Sequence, residues 1–186
     1  SLGMLKFESG DKESPELFED VYKAGFLMLF FGLESANDRI LSIIDKGCDQ
    51  ETERSVLKNS SDAGIWNHLY LFFGFPTEER EEAEDTIQFT VENSETGTGH
   101  IHSVGQSIFA LEKDSAIYHN PAKFKIDRII HDPDRDMAIV FDFDIKAGMP
   151  REEVMDVYEH FNTVIEETFP SRNIWNYLSR EHFLLY

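Results

Sequence analysis

Apolar positions gather in two closely similar blocks. Residues 24–35 read AGFLMLFFGLES and residues 63–78 read AGIWNHLYLFFGFPTE, each running from an Ala-Gly pair through an apolar stretch to Phe-Phe-Gly and then to polar residues. The first stretch is too apolar for a half-exposed strand and too short, between two glycines, for a helix. It predicts a strand buried on both faces of a parallel sheet. Between the blocks the spacing turns helical. Asn37 predicts the cap of a helix carrying Ile40, Leu41, Ile43 and Ile44 on one face and closed by Lys46-Gly47. Asp49 caps a second, with Val56, Leu57 and Ala63 inward and Gly64 as its stop. Upstream, residues 4–9 predict a short strand, and Ser14-Pro15 open a helix with Leu17, Phe18 and Val21 at helical spacing.

Downstream of the second block, REEAEDTIQFTVEN predicts a helix whose acidic first turn suits the positive end of its dipole, and residues 100–111 predict a third strand. A long irregular loop follows. From Ile126 two alternating runs flank a Pro-Asp turn and predict a β-hairpin. Pro150 then opens an amphipathic helix with Val154, Val157, Tyr158, Phe161, Val164 and Ile165 on its stripe, and the aromatic tail over 171–186 is expected to pack as helix. The fold class expected is α/β: a partial, half TIM-like βα barrel of parallel strands over 1–125, with a smaller α+β extension over 126–186. Such units use right-handed crossovers and place working residues at the carboxyl ends of the strands. Glu34, Ser35, Thr77 and Glu78 fall at those ends.

Charge and cysteine content narrow the function classes. Of 186 residues, 17 are Lys or Arg and 36 Asp or Glu, for a net charge of -19, which repels nucleic-acid phosphates and anionic membrane surfaces. No nucleic-acid or membrane partner is therefore expected. No apolar run approaches the ~20 residues of a membrane helix and no signal peptide opens the chain, so a cytoplasmic location is expected. Cys48 is the single cysteine, which rules out an intrachain disulfide framework. It reads as an ordinary thiol, since no cysteine–histidine–acid set lies nearby. The stretch TGTGHIH matches neither a P-loop nor a dinucleotide fingerprint, and His100 with His102 lacks a third metal ligand, so this stretch reads as a loop entering a strand. The chain opens at Ser-Leu-Gly rather than at methionine, which suggests excision from something longer.

The ordered segments AGFLMLFFGLESANDRILSIIDKG, DAGIWNHLYLFFGFPTEEREEAEDTIQF and SIFALEKDSAIYHNPAKFKI resemble the later half of the radical S-adenosylmethionine core, in the branch that often carries an upstream cobalamin-binding domain. The ending REHFLLY is similar to extensions of that branch. The resemblance implies a parent enzyme that uses a 4Fe-4S cluster, held by a CxxxCxxC loop, to cleave S-adenosylmethionine reductively; three thiolates leave one iron open. This chain lacks that loop and the glycine-rich segment that holds the methionyl amine. Alone it is expected to be inactive and to bind no cofactor. The resemblance assigns Glu34 and Ser35 to the ribose hydroxyls, and Phe72, Gly74 and Glu78 loosely to the adenine side. A carboxylate suits a vicinal diol because it accepts two hydrogen bonds.

Other readings stay open. Glu34 could cap the helix after it, and Thr77-Glu78 the helix beginning at Glu79. Two strand-end carboxylates could serve a cluster-free βα-barrel hydrolase or lyase as acid and base. An acidic protein-interaction module is the third possibility. The expected partners are the missing N-terminal half, an unidentified small-molecule or peptide substrate, and a second copy covering the cut sheet edge in a homodimer.

Overall fold

The structure is a computed structural model that describes residues 14–131 and 137–169. The strand expected over 4–9, the Pro-Asp turn and the tail over 171–186 lie outside the described residues. The architecture is mixed α/β. Three parallel strands, β1 (Met28–Glu34), β2 (Trp66–Phe73) and β3 (Ser103–Ile108), lie in the order β1-β2-β3. Helix α1 (Pro15–Lys23) precedes β1, α2 (Asp38–Ile43) and α3 (Gln50–Asp62) join β1 to β2, and α4 (Arg80–Asn93) joins β2 to β3.

The helix ends form where local chemistry places them. Asn37 accepts from the N–H groups of Arg39 and Ile40, and Asp49 accepts from that of Thr52. Each satisfies amides that have no partner within their helix. Ser14 occupies the N-cap position of α1, but its hydroxyl goes to Glu16 instead of a backbone amide. Glu79, rather than Thr77 or Glu78, is the N-cap of α4, and its N–H donates to Glu82 three residues on.

The two faces of the parallel sheet differ. Leu69, Leu71 and Phe73 of β2 join Leu33, Leu57, Ala83, Ile87, Phe89 and Val104 in the main core beneath α3 and α4. Asn67 points the same way and donates to the Leu57 carbonyl. The alternate residues Trp66, His68, Tyr70 and Phe72 point to the opposite face, as the period of two requires. The expectation that β1 is buried on both faces is corrected here. Among its residues only Leu33 is buried and the rest are half-buried, because β2 is its single strand neighbour among the described residues and Phe30 and Gly32 face away from the helices. Burial on both faces needs neighbours that composition alone does not guarantee.

The third βα unit is closed late in the chain. After β3, the strands β4 (Leu111–Glu112), β5 (Ile126–Ile130) and β6 (Val140–Ile145) form an antiparallel sheet in the order β4-β6-β5. The β5–β6 pairing is the expected hairpin. Because β4 precedes residue 126 and β6 follows it, the two parts of the chain share a sheet. A short α5 (Ala116–His119) and a 3-10 turn (Pro121–Phe124) lie between β4 and β5. Helix α6 (Arg151–Thr168) then returns to the core, seating Val154, Val157, Phe161 and Ile165 with residues of α4 and β2. Phe161 meets Phe73 edge-on at 5.1 Å between ring centroids, a contact worth about 0.5–1.5 kcal/mol beyond its buried area. Among the described residues no helix is long and apolar enough to cross a membrane.

Candidate functional site

The face turned away from the helices carries the aromatic and polar side chains of β1 and β2. At its middle, Phe30 of β1 stacks on Tyr70 of β2 at 6.0 Å, and the His68 ring meets Tyr70 edge-on at 4.7 Å. Gly105 of β3 is the floor beneath them. A Cβ there would stand 3.1 Å from the Tyr70 ring and 3.2 Å from His68 Nε2. His68 Nδ1 and the Ser103 hydroxyl lie 2.7 Å apart, and burial pushes the imidazole down to about 4, so it is neutral at pH 7. Tyr70 remains 44% exposed beside these buried groups.

Glu34 stands at the carboxyl end of this face. Leu33 is bulged, since Gly32 pairs with Tyr70 while Glu34 pairs with the next residue, Leu71. Glu34 itself has a φ of 69 and sits at the centre of a three-residue turn closed by the Ser35 N–H on the Leu33 carbonyl at 2.9 Å. A bulge of this kind re-aims a side chain. Here the carboxylate folds back over Gly32, where a Cβ would lie 2.5 Å from Oε1, and Oε1 takes the Lys46 ammonium at 3.2 Å. The two side chains are 32% and 28% exposed. Glu34 Oε2 has no hydrogen-bond partner among the described residues. Glu34 is not the cap of α2; Asn37 holds that position.

The other expected site residues lie elsewhere. Ser35 is fully buried, its hydroxyl 3.2 Å from Thr86 Oγ1 in α4 and accepting from the Asn37 N–H. Phe72 is packed on Phe75 and Phe109, in the aromatic cluster that Phe124 and Phe143 extend toward the antiparallel sheet. Gly74 has a φ of 80, and the space a side chain would need is filled by Val154, 2.6 Å from an added Cβ. Its missing side chain is thus used by α6. Glu78 is fully buried: Oε2 accepts the Gly74 N–H at 2.6 Å, Oε1 has no partner among the described residues, and burial pushes the carboxyl up to about 7. The structure thus brings Glu34 to the open face and turns Ser35 and Glu78 into the interior.

The turn after β2 is held from three sides. Arg39 of α2 donates to the Thr77 carbonyl at 2.6 Å and pairs with Glu82, while the Thr77 N–H reaches the Ala147 carbonyl at 3.2 Å and the Glu78 carbonyl accepts from Met149 at 2.9 Å. Thr77 is β-branched yet has a φ of 82, a conformation costing about 1–3 kcal/mol. Thr77→Gly should relieve it. Allowing for the greater chain entropy of glycine, the net gain is about 1 kcal/mol, measured as the shift in denaturant midpoint at constant slope.

His68, Tyr70, Gly105 and Lys46 were not anticipated from sequence. A signal existed in WNHLYLFF, where every second residue is aromatic or polar and the intervening ones serve the core. His100 and His102 are engaged separately: His100 Nδ1 lies 3.0 Å from the Thr98 hydroxyl, and His102 accepts from the Asn67 N–H and stacks on Trp66. Among the described residues no group of three or more metal-ligating side chains is assembled.

No family model matches the chain. Over 67 residues it is 37% identical to the uncharacterized methyltransferase PH0819 of Pyrococcus horikoshii, a stretch covering 36% of this chain and 15% of that protein. The chain therefore spans well under two thirds of that relative's length. Coproporphyrinogen III oxidase (HemN) from Escherichia coli, described as a radical SAM enzyme, superposes with a TM-score of 0.58 at 13% identity, over 83% of this chain and 30% of HemN. The chain thus has a fold similar to part of a radical SAM enzyme and, over about a third of its length, is 37% identical to part of a protein named as a methyltransferase.

Proposed function

We propose that this chain forms the ribose-facing side of an S-adenosylmethionine site in a radical SAM enzyme, its three parallel strands being consecutive strands of a partial barrel. The observation that carries this is Glu34: a half-exposed carboxylate, re-aimed by a bulge onto the open sheet face, whose Oε1 takes Lys46 while Oε2 has no hydrogen-bond partner among the described residues. The shared fold supports placing that face toward the ligand. The residues present suit a diol at Glu34. They do not suit a 4Fe-4S cluster, because the chain's single thiol, Cys48, lies between α2 and α3, 3.7 Å from Glu53 Oε1. Cluster ligation is therefore assigned to residues outside this sequence.

S-adenosylmethionine, when bound, supplies the group that initiates radical chemistry. The residues of this chain bind and orient it. Glu34 accepts from the ribose hydroxyls in charge-assisted hydrogen bonds worth roughly 1.5–3 kcal/mol. The Phe30 and Tyr70 rings, backed by the buried His68, give the face a rigid wall. The name of the Pyrococcus relative favours methyl transfer as the reaction of the whole protein. The acid–base alternative is weakened by Glu78, whose carboxyl is buried against Gly74 rather than turned toward Glu34's face.

Glu34→Gln in the complete natural protein tests the proposal. It keeps the size and removes the charge, so affinity for S-adenosylmethionine should fall by roughly one to two decades while iron and sulfide content stays the same. Unchanged affinity with a lower thermal midpoint would make Glu34 a purely structural residue.

A further inference from the structure

The Glu34 carboxylate does not reach its place through its own backbone alone. Its left-handed φ sends the side chain back along β1, and Gly32 leaves the room in which it lies. Lys46 fixes it there. This lysine lies just beyond α2, where its own N–H bonds the Leu41 carbonyl and the following Gly47 has a φ of 74. Its ammonium would stand 3.3 Å from a Cβ at Gly32, so the glycine seats both charged groups. Behind it lies Glu53 of α3, a buried carboxyl on which the Lys46 charge also acts.

We infer that Lys46 is a positioning residue for the ligand-binding carboxylate: it holds Glu34 Oε1 over Gly32 and thereby presents Oε2 to a hydroxylated ligand. This inference rests on the reading of Glu34 proposed above. Three consequences follow from the geometry. Lys46 neutralises the carboxylate locally, so the strand end suits an uncharged hydroxyl pair better than a metal ion. Holding one oxygen leaves the other with one orientation, which lowers the ordering cost of binding. Because the lysine acts through Glu34, removing both should cost no more than removing Glu34.

The test compares Lys46→Met, Lys46→Arg, Glu34→Gln and the Lys46→Met/Glu34→Gln pair in the complete natural protein, purified anaerobically, with S-adenosylmethionine as the titrant. Lys46→Met should weaken binding about tenfold, with Lys46→Arg restoring most of it, and the double variant should bind like Glu34→Gln alone. Thermal midpoints of all four should stay close to that of the parent, since the pair is partly exposed. Wild-type affinity in Lys46→Met with weakened binding in Glu34→Gln would overturn this inference and leave the Glu34 reading standing. Additive losses would also overturn it, by showing that Lys46 touches the ligand directly. Wild-type affinity in Glu34→Gln would overturn both.

Discussion

Gly74→Ala should destabilise the fold by about 3 kcal/mol, from a left-handed φ of 80 that any Cβ strains and from overpacking against Val154. The added carbon would sit 2.6 and 2.9 Å from the two Val154 methyls, which are buried on α6 and have no solvent to turn into. The two contributions separate in a double-mutant cycle. Val154→Ala alone leaves a cavity and should cost about 2 kcal/mol, but in the Gly74→Ala background it should cost much less, because it removes the clash. Chemical denaturation of the four proteins measures this. Strict additivity would mean that α6 does not press on Gly74.

The second large effect is a fall in stability as pH rises. Burial pushes Glu53 up to about 9, against the smaller opposing influence of the Lys46 charge, and pushes Glu78 up to about 7. Both folded-state values lie above the 4.5 of an ordinary glutamate. The folded state therefore holds protons that the unfolded state releases, so their contribution is fully present below pH 4.5 and is lost as pH climbs through about 7 and then 9. Each contributes at most about 1.4 kcal/mol per pH unit, so over these two units the pair should make the chain on the order of 5 kcal/mol less stable at pH 7 than at pH 5. The net charge of -19 pushes the same way. Below about pH 4 the trend reverses, because groups held down by their partners, such as Glu82 beside Arg39, become protonated. Glu53→Gln should flatten the profile and raise stability at pH 8 by about 2 kcal/mol. A flat profile in the unmodified chain would mean that these carboxyls ionise freely in the fold.

Helix boundaries were the most legible part of the fold. Asn37 and Asp49 cap with their own side chains, and Gly25 and Gly64 adopt positive φ directly after the caps of α1 and α3, whereas α2 ends at Ile43, with Asp45 as the left-handed residue, short of the expected stop at Lys46-Gly47. These are local interactions that a short window of sequence contains. The parallel direction of β1, β2 and β3, the β5–β6 hairpin and the apolar stripe of α6 were legible for the same reason: period and turn chemistry mark them. What the strands pack against was not. Glu78 looks like a strand-end acid, yet the turn folds it onto Gly74, and Ser35 looks like a ligand contact while Thr86, far along the chain, takes its hydroxyl. Glu34 was legible as a strand-end carboxylate, but its direction depends on a bulge and on Lys46. The alternation along β2 that turns His68 and Tyr70 to the face opposite the core runs through the middle of the strand rather than its end.

The late return of α6 affects how the molecule can be assembled and altered. The parallel strands and the helices between them are built from contacts between nearby parts of the chain. The seat of α6 beside α4, by contrast, is reached only after the whole antiparallel sheet has been passed. Contacts that close long loops form late in folding, so α6 docking is expected to follow the pairing of β1 with β2. The same arithmetic makes the insertion permissive. Doubling the length of a flexible loop adds only about 0.6 kcal/mol of closure cost, so the exposed turns between β3 and α6 can lengthen or shorten, whereas Phe109, Phe124, Ala147 and Met149, which hold the aromatic cluster and the turn after β2, are fixed by their contacts. A lineage could rewrite those exposed turns without having to reinvent the frame.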